Sequence, residues 1–243
     1  MRLDKALTYA GLTRTEAKRA IGSGRVRVNG IIVKRPEAAL ADGETLTLDG
    51  NEVLIKKALH IMINKPKGCL TATEDKTKPT VLDYIGDIPL KKELGPIGRL
   101  DKDVSGLVLL TTDGQLAHNV ISPKHDIEKI YFAKVAGRLD SECQNAFKNG
   151  IEFKDFTAKP AILDIIEAND GFSLCRVHVS EGKYHQVKKM LLSTGHEVLT
   201  LKRERIGPIA LDEALAEGMW RELTKDEETA LYKSAGMEQD RLN

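Results

Sequence analysis

The chain opens on a helical period. Leu3, Ala6, Leu7 and Ala10 stand at i, i+3, i+4 and i+7, one face of a short amphipathic helix that Gly11 is placed to end. A second helix is predicted to start at Thr13. Glu16 follows three residues on, the spacing at which a hydroxyl and a carboxylate satisfy the free backbone donors of a first turn. Its apolar side is Ala17, Ala20 and Ile21, with Gly22 as the expected stop. The period then drops to two. In "RVRVNGIIV", Val26 and Val28 alternate with Arg25 and Arg27, and Asn29-Gly30 supplies the tight turn of a hairpin with one apolar and one cationic face.

Beyond Lys56, Lys57 and Ala58, read as a linker, strands broken by short helices are predicted. Residues 59–63 read as a strand, which "NKPKG" turns because Pro66 and Gly68 break regular structure. Val104 and the apolar run 107–110 read as a buried strand ended by Asp113-Gly114. A helix over 116–121 and a strand over 129–135 follow. Asp140 or Ser141 caps a helix ending near Gly150, and strands over 161–166 and 172–179 pair antiparallel through Asn169-Asp170-Gly171. "SEGKYHQVKKMLLSTG" reads as a turn entering a helix that Gly195 stops. Helical spacing puts Tyr184, Val187 and Leu191 on its core side and His185, Lys188, Lys189 and Leu192 on a neighbouring one. The tail after Leu231 is polar and expected to fray. The fold class is α+β. A small N-terminal α/β module, residues 1–57, precedes a mixed, largely antiparallel β-sheet domain with flanking helices, residues 58–243.

A chain of 243 residues that is 41% hydrophobic and 30% charged suits two such globular domains. No apolar stretch spans a bilayer and no secretory signal opens the chain, so a cytoplasmic protein with no membrane partner is expected. Cys69, Cys143 and Cys175 lack paired spacing and are expected as reduced, buried thiols. The six His are scattered, and no metal is expected. No Gly-rich phosphate loop or nucleotide fingerprint asks for a cofactor.

The net charge of +1 hides an uneven distribution. Residues 1–35 hold nine Lys or Arg against Asp4 and Glu16, whereas residues 36–55 hold five acids and no base. A basic front end fits a polyanion such as nucleic acid; a solvated helix face is the plain alternative. Arg2, Lys5, Arg14, Lys18, Arg25 and Arg27 are the candidate RNA contacts. Without interleaved aromatics they imply recognition of shape and phosphate.

The opening "MRLDKAL" and the turn "GRVRVNG", in the order helix, helix, hairpin, resemble the RNA-binding module of the ribosomal protein S-four type. Farther on, "INKPKG", "GRLDKDVSGLVLLTTDG", "SPKHDIEKIYFAKV", "SEGKYHQVKKM" and "LKRERIGPIAL" occur in that order. Together they resemble the pseudouridine synthases, and among these the ribosomal small-subunit pseudouridine synthase A branch and its large-subunit relatives, over about residues 1–231.

The resemblance implies the pseudouridine synthase fold and the conversion of a uridine already inside an RNA chain to pseudouridine, an isomerisation that needs no cofactor. It makes Asp101 the nucleophile, Tyr131 the residue packing against the target base, Lys188 the cation that keeps Asp101 ionised, and Leu192 the apolar pocket wall. Arg99, His185 and Gln186 are the RNA contacts beside the site. The sequence departs from the family's usual pattern at Val104, where relatives commonly carry Thr, and Ser105 is the nearest replacement hydroxyl. The expected partner is ribosomal RNA within an assembling small subunit, met by a monomer. A 23S-directed relative and a non-catalytic ribosome-assembly factor are the competing readings. A pure binder has no need of an acid in a basic cleft, and a glycosidase would use two carboxylates.

Overall fold

A computed structural model of the protein describes residues 1–41, 43–53 and 58–237. Two units emerge, one built on Met1–Leu59 with Ile85–Leu94, the other on His60–Tyr84 with Gly95–Glu238. Lys56 and Lys57 of the expected linker lie outside the described residues.

In the first unit, α1 (Leu3–Tyr9) buries Leu3, Ala6 and Leu7 in one core with Ala17, Ala20 and Ile21 of α2 (Arg14–Gly22). Each fully buried Leu or Ile there contributes about 1.5–3 kcal/mol. The capping box forms as expected: the Glu16 amide donates to Thr13 Oγ1 at 3.2 Å and the Thr13 amide to Glu16 Oε2 at 2.7 Å. Gly22 is still helical, and the left-handed residue that ends the helix is Gly24. β1 (Val26–Val28) and β2 (Ile31–Ile32) meet through Asn29 and Gly30, both at positive φ (50° and 80°), as a type I′ turn requires. With β3 (Leu46–Leu48) and β4 (Asn51–Glu52) they form a sheet of order β2-β1-β3-β4.

The second unit is a mixed sheet flanked by helices, the α+β class expected from the sequence. Its strands are β5 (His60–Lys65), β6 (Gly95–Ile97), β7 (Ser105–Thr111), β8 (Lys129–Ala136), β9 (Ile151–Glu152), β10 (Thr157–Ala158), β11 (Ile162–Ala168), β12 (Phe172–Val179), β13 (Val198–Ile206), β14 (Ile209–Ala210) and β15 (Trp220–Glu222). The helices are α3 (Gly114–Ile121), α4 (Ser141–Asn149), α5 (Gln186–Ser193) and α6 (Lys225–Ser234). The main sheet runs β11-β12-β8-β13-β7-β5-β15, with β6 added on β7 and β14 on β13, while β9 and β10 pair separately. Among the described residues its pairings are antiparallel except that of β13 with β7. β7 is buried along its whole length, which is why it reads as a continuous apolar run rather than an alternation.

Caps set the helix starts. Asp113 accepts from the amides of Gln115 and Leu116, and Asp140 from those of Glu142 and Cys143. Two further departures from expectation have a clear cause. β5 continues to Lys65, because that side chain is buried and bonded instead of turning out with the loop. The tail does not fray from Leu231. A Thr224–Glu227 capping box starts α6, which buries Leu231 and Tyr232, and the Tyr232 hydroxyl donates to Asp113 Oδ2 at 2.8 Å. The three cysteines are free and buried, as expected.

Candidate active site

Asp101 lies in the loop between β6 and β7, a tight turn closed by the Val104 amide donating to the Asp101 carbonyl at 3.2 Å. Its neighbours are held from beneath through their backbone. The Thr71 hydroxyl donates to the Leu100 carbonyl at 2.9 Å and accepts from the Leu100 amide at 3.1 Å. Lys65 Nζ donates to the carbonyls of Val104 at 2.7 Å and Pro66 at 3.0 Å, and reaches that of Lys102 at 3.4 Å. The Gly68 amide donates to Lys102 O at 2.7 Å. Val104 is buried in this loop without a hydroxyl of its own, and Thr71 supplies the hydroxyl that bonds the loop.

On the sheet side, Gly106 pairs with Arg203 in the parallel ladder at φ 106°. A Cβ there would stand 2.3 Å from the Arg203 carbonyl oxygen, so a side chain is excluded. Arg203 is buried, donates Nε to Leu107 O at 2.9 Å and brings Nη1 to 3.5 Å from Arg99 O. Its Nη2 is buried without a protein partner. The acid therefore projects from a loop fixed at both ends, the support a precise site needs.

Above the loop stands the start of α5. His185 takes a left-handed conformation (φ 54°) and turns the chain into the helix, which brings its Nε2 3.4 Å from Asp101 Oδ2. Lys188, one turn along, lies 3.3 Å from the same oxygen and 2.7 Å from Asp103 Oδ1. Burial pulls the Lys188 pKa down, but its bond to Asp103 and the charges of Asp101 and Asp103 outweigh that and hold it above the usual lysine value. The same bond holds Asp103 below the usual carboxylate range. Lys188 is thus a firm cation placed against the Asp101 carboxylate.

Asp101, His185 and Lys188 line an open cleft of about 380 Å³, within the size range of small-molecule sites. Tyr131 of β8 lines it beside β13, its register partner being Arg203. Val104, Val179, Val187 and Leu201 supply apolar wall, and Arg99 is exposed at the edge.

Three sequence expectations are corrected here. Leu192 does not wall this cleft; it is 63% exposed and lines a neighbouring hollow of about 200 Å³ with Asp103 and Lys188. The helix turns Val187, Met190 and Leu191 inward, and Leu192 follows Lys188 at i+4 on the outer face. Leu201 of "LKRERIGPIAL" is the apolar wall instead. Tyr184 is not core but 72% exposed, because α5 begins only at Gln186 and helical spacing does not reach it. Gln186 is buried rather than open to RNA: Nε2 donates to Glu181 Oε1 at 2.8 Å and Oε1 accepts from the Lys183 amide at 3.0 Å. Lys65, Thr71 and Arg203 were not singled out by the sequence reading. A lysine closing the apolar strand "HIMIN" was the one available signal.

In the first unit the expected cationic surface is partly neutralised from within. Arg2 makes a two-bond pair with Asp4 at 3.0 and 2.8 Å, Arg25 pairs with Asp49, and Arg27 donates to Gly30 O at 3.0 Å. Arg14 and Lys18 stand exposed on α2, and Lys5 is exposed on α1. Among the described residues no group of three or more His, Cys, Asp or Glu is placed to hold a metal, and no helix is long and apolar enough to cross a membrane.

Residues 59–193 match the family model described as RNA pseudouridylate synthase, and residues 1–46 match the S4 domain. A Haemophilus influenzae protein named ribosomal small subunit pseudouridine synthase A is 39% identical over 238 residues, 96% of this chain and 100% of its own. A Bacillus subtilis protein named an uncharacterized RNA pseudouridine synthase is 39% identical over 93% of this chain and 96% of its own. A crystal structure titled pseudouridylate synthase superposes with a TM-score of 0.67 at 37% identity, covering 95% of this chain and 99% of that one.

Proposed function

The chain belongs to the RNA pseudouridylate synthase family and is an isomerase, and we propose that it converts one uridine of 16S, small-subunit ribosomal RNA to pseudouridine, with Asp101 as the nucleophile. The reaction breaks the bond between N1 and the ribose C1′ and makes one between C5 and C1′. C5 gives up a proton and N1 takes one, so atoms balance without a cofactor. A carboxylate attacks carbon and leaves again, on either sugar or base. The target base flips out of its stack, at a cost of a few kcal/mol, and comes to rest on Tyr131 between the apolar walls. Lys188 lies against the Asp101 carboxylate and orients it, and Arg99 takes a phosphate at the edge. In the S4 unit, Arg14 and Lys18 hold RNA backbone by charge.

The observation that carries this reading is the contact of Asp101 with Lys188 at 3.3 Å in a cleft that Tyr131 also lines. The small-subunit target is supported by the name of the Haemophilus relative, similar over its full length. Mapping pseudouridines in both ribosomal RNAs from cells with and without the protein tests it. One site lost from 16S RNA is expected; a site lost from 23S RNA would overturn the target, and no lost site would overturn the substrate assignment.

A further inference from the structure

Among the described residues Tyr184 is the most exposed large hydrophobic side chain, at 72%. An aromatic ring of that size left in water at the rim of a cleft has an unfavourable contact with solvent that a ligand can relieve. It is also held in place. Its ring stacks on that of His185, with centroids 3.8 Å apart and planes 19° from parallel. His185 in turn sits in its left-handed turn with Nε2 3.4 Å from Asp101 Oδ2. The loop beneath is pinned by buried Gln186, which joins the Lys183 amide to Glu181, while Glu181 also accepts from the Lys159 amide at 2.8 Å. Lys189 Nζ stands 5.9 Å from the Tyr184 centroid and bonds Asp155 at 2.7 Å, so the ring has a cation nearby without being covered by it.

The phenol ring is therefore one aromatic layer away from the group that touches the Asp101 carboxylate. Layers at about this spacing are how unpaired bases lie on protein aromatics, and exposed aromatics beside basic groups are the usual platforms for single-stranded RNA. We propose that Tyr184 is a stacking platform for the unpaired nucleobase that directly neighbours the target uridine in the RNA chain, and so helps to set which sequence context the cleft accepts. This rests on the reading of the cleft as the pseudouridylation site. It leaves the expectation of shape and phosphate recognition by the first unit as it stands, because the aromatic contact is made in the second unit, beside the chemistry.

The test uses the full chain and a 16S RNA fragment spanning the mapped uridine, with 2-aminopurine placed at either flanking position. Binding is followed in the Asp101→Asn background, where turnover does not interfere, and turnover in the otherwise native chain. Binding should quench 2-aminopurine at one flank in Asp101→Asn and not in Asp101→Asn with Tyr184→Ala. In turnover, Tyr184→Ala should raise KM about ten-fold or more with kcat within two-fold, and Tyr184→Phe should restore KM. An abasic nucleotide at the quenched flank should cost the native chain a similar factor and the Tyr184→Ala chain little more. Quenching that survives Tyr184→Ala, or an unchanged KM, would overturn the proposal. A fall in kcat alone would also overturn it and assign Tyr184 to supporting His185. If the native chain turns over no RNA while flank quenching still depends on Tyr184, the proposed function fails and the platform stands.

Discussion

Replacing Lys65 by Met removes a buried ammonium from beneath the Asp101 loop while keeping an unbranched chain of similar length. Two of its bonds are short, to Val104 O at 2.7 Å and Pro66 O at 3.0 Å, and the third, to Lys102 O at 3.4 Å, is backed by the Gly68 amide. Hydrogen bonds from a charged group contribute about 1.5–3 kcal/mol each, and orphaned buried carbonyls add to the loss. Relief of burying the charge offsets part of it, leaving a net destabilisation of about 2–4 kcal/mol. At about 2–4 °C per kcal/mol for a domain of this size, Tm should fall by roughly 5–15 °C in a thermal melt. Freed of its anchor, the loop shifts the carboxylate, and a displacement of about 1 Å costs roughly 10²-fold in rate.

The pH dependence carries the opposite sign from that of a lysine whose pKa is raised by an ion-pair partner. Burial, outweighing the pull of Cys69, Asp103 and Asp101, holds the Lys65 pKa below its ordinary value. Between the folded and the higher unfolded pKa the unfolded chain binds more protons, so the native chain should gain stability over Lys65→Met as pH rises through that interval towards the usual lysine value. A variant that melts within 1 °C of the native chain and keeps its rate would refute the idea that this lysine holds the loop.

Gly106→Ala sets a Cβ 2.3 Å from the Arg203 carbonyl oxygen at φ 106°. Overpacking and backbone strain each cost about 1–3 kcal/mol, so a Tm lower by more than about 5 °C is expected, and an unshifted melt would contradict the parallel register. Changing Arg14 and Lys18 together to Gln should weaken RNA binding evenly across sequences and flatten the slope of log K against log salt by up to about 2, read from a salt titration. An unchanged slope would remove them from the phosphate interface.

Much of the fold was legible because local chemistry and tertiary packing agree. The Thr13–Glu16 box, the Asn29-Gly30 turn and the Asp113 and Asp140 caps each act within a few residues, and each formed where its chemistry put it. The errors fall where long-range packing decides. Tyr232 is buried because β5 and α3 bring His60 and Asp113 to it, which no local pattern in the polar tail encodes. Tyr184 was placed on the core side by a helical period that begins two residues too late for it, whereas Leu192 was placed in the cleft wall by the resemblance alone, its helical spacing having already set it apart from the core side. Lys65 and Arg203 serve backbone groups 37 and 96 positions away in the chain, a relation that appears only when the strands are paired.

Whether the Asp101 carboxylate performs the chemistry while the rest of the cleft and the S4 unit hold the RNA is decided by pseudouridine formation in 16S ribosomal RNA incubated with the purified native chain or with Asp101→Asn. The prediction is conversion of one uridine by the native chain and none above background by Asp101→Asn, at RNA affinities within about three-fold of each other. Pseudouridine formed by Asp101→Asn at a rate near the native one would contradict it.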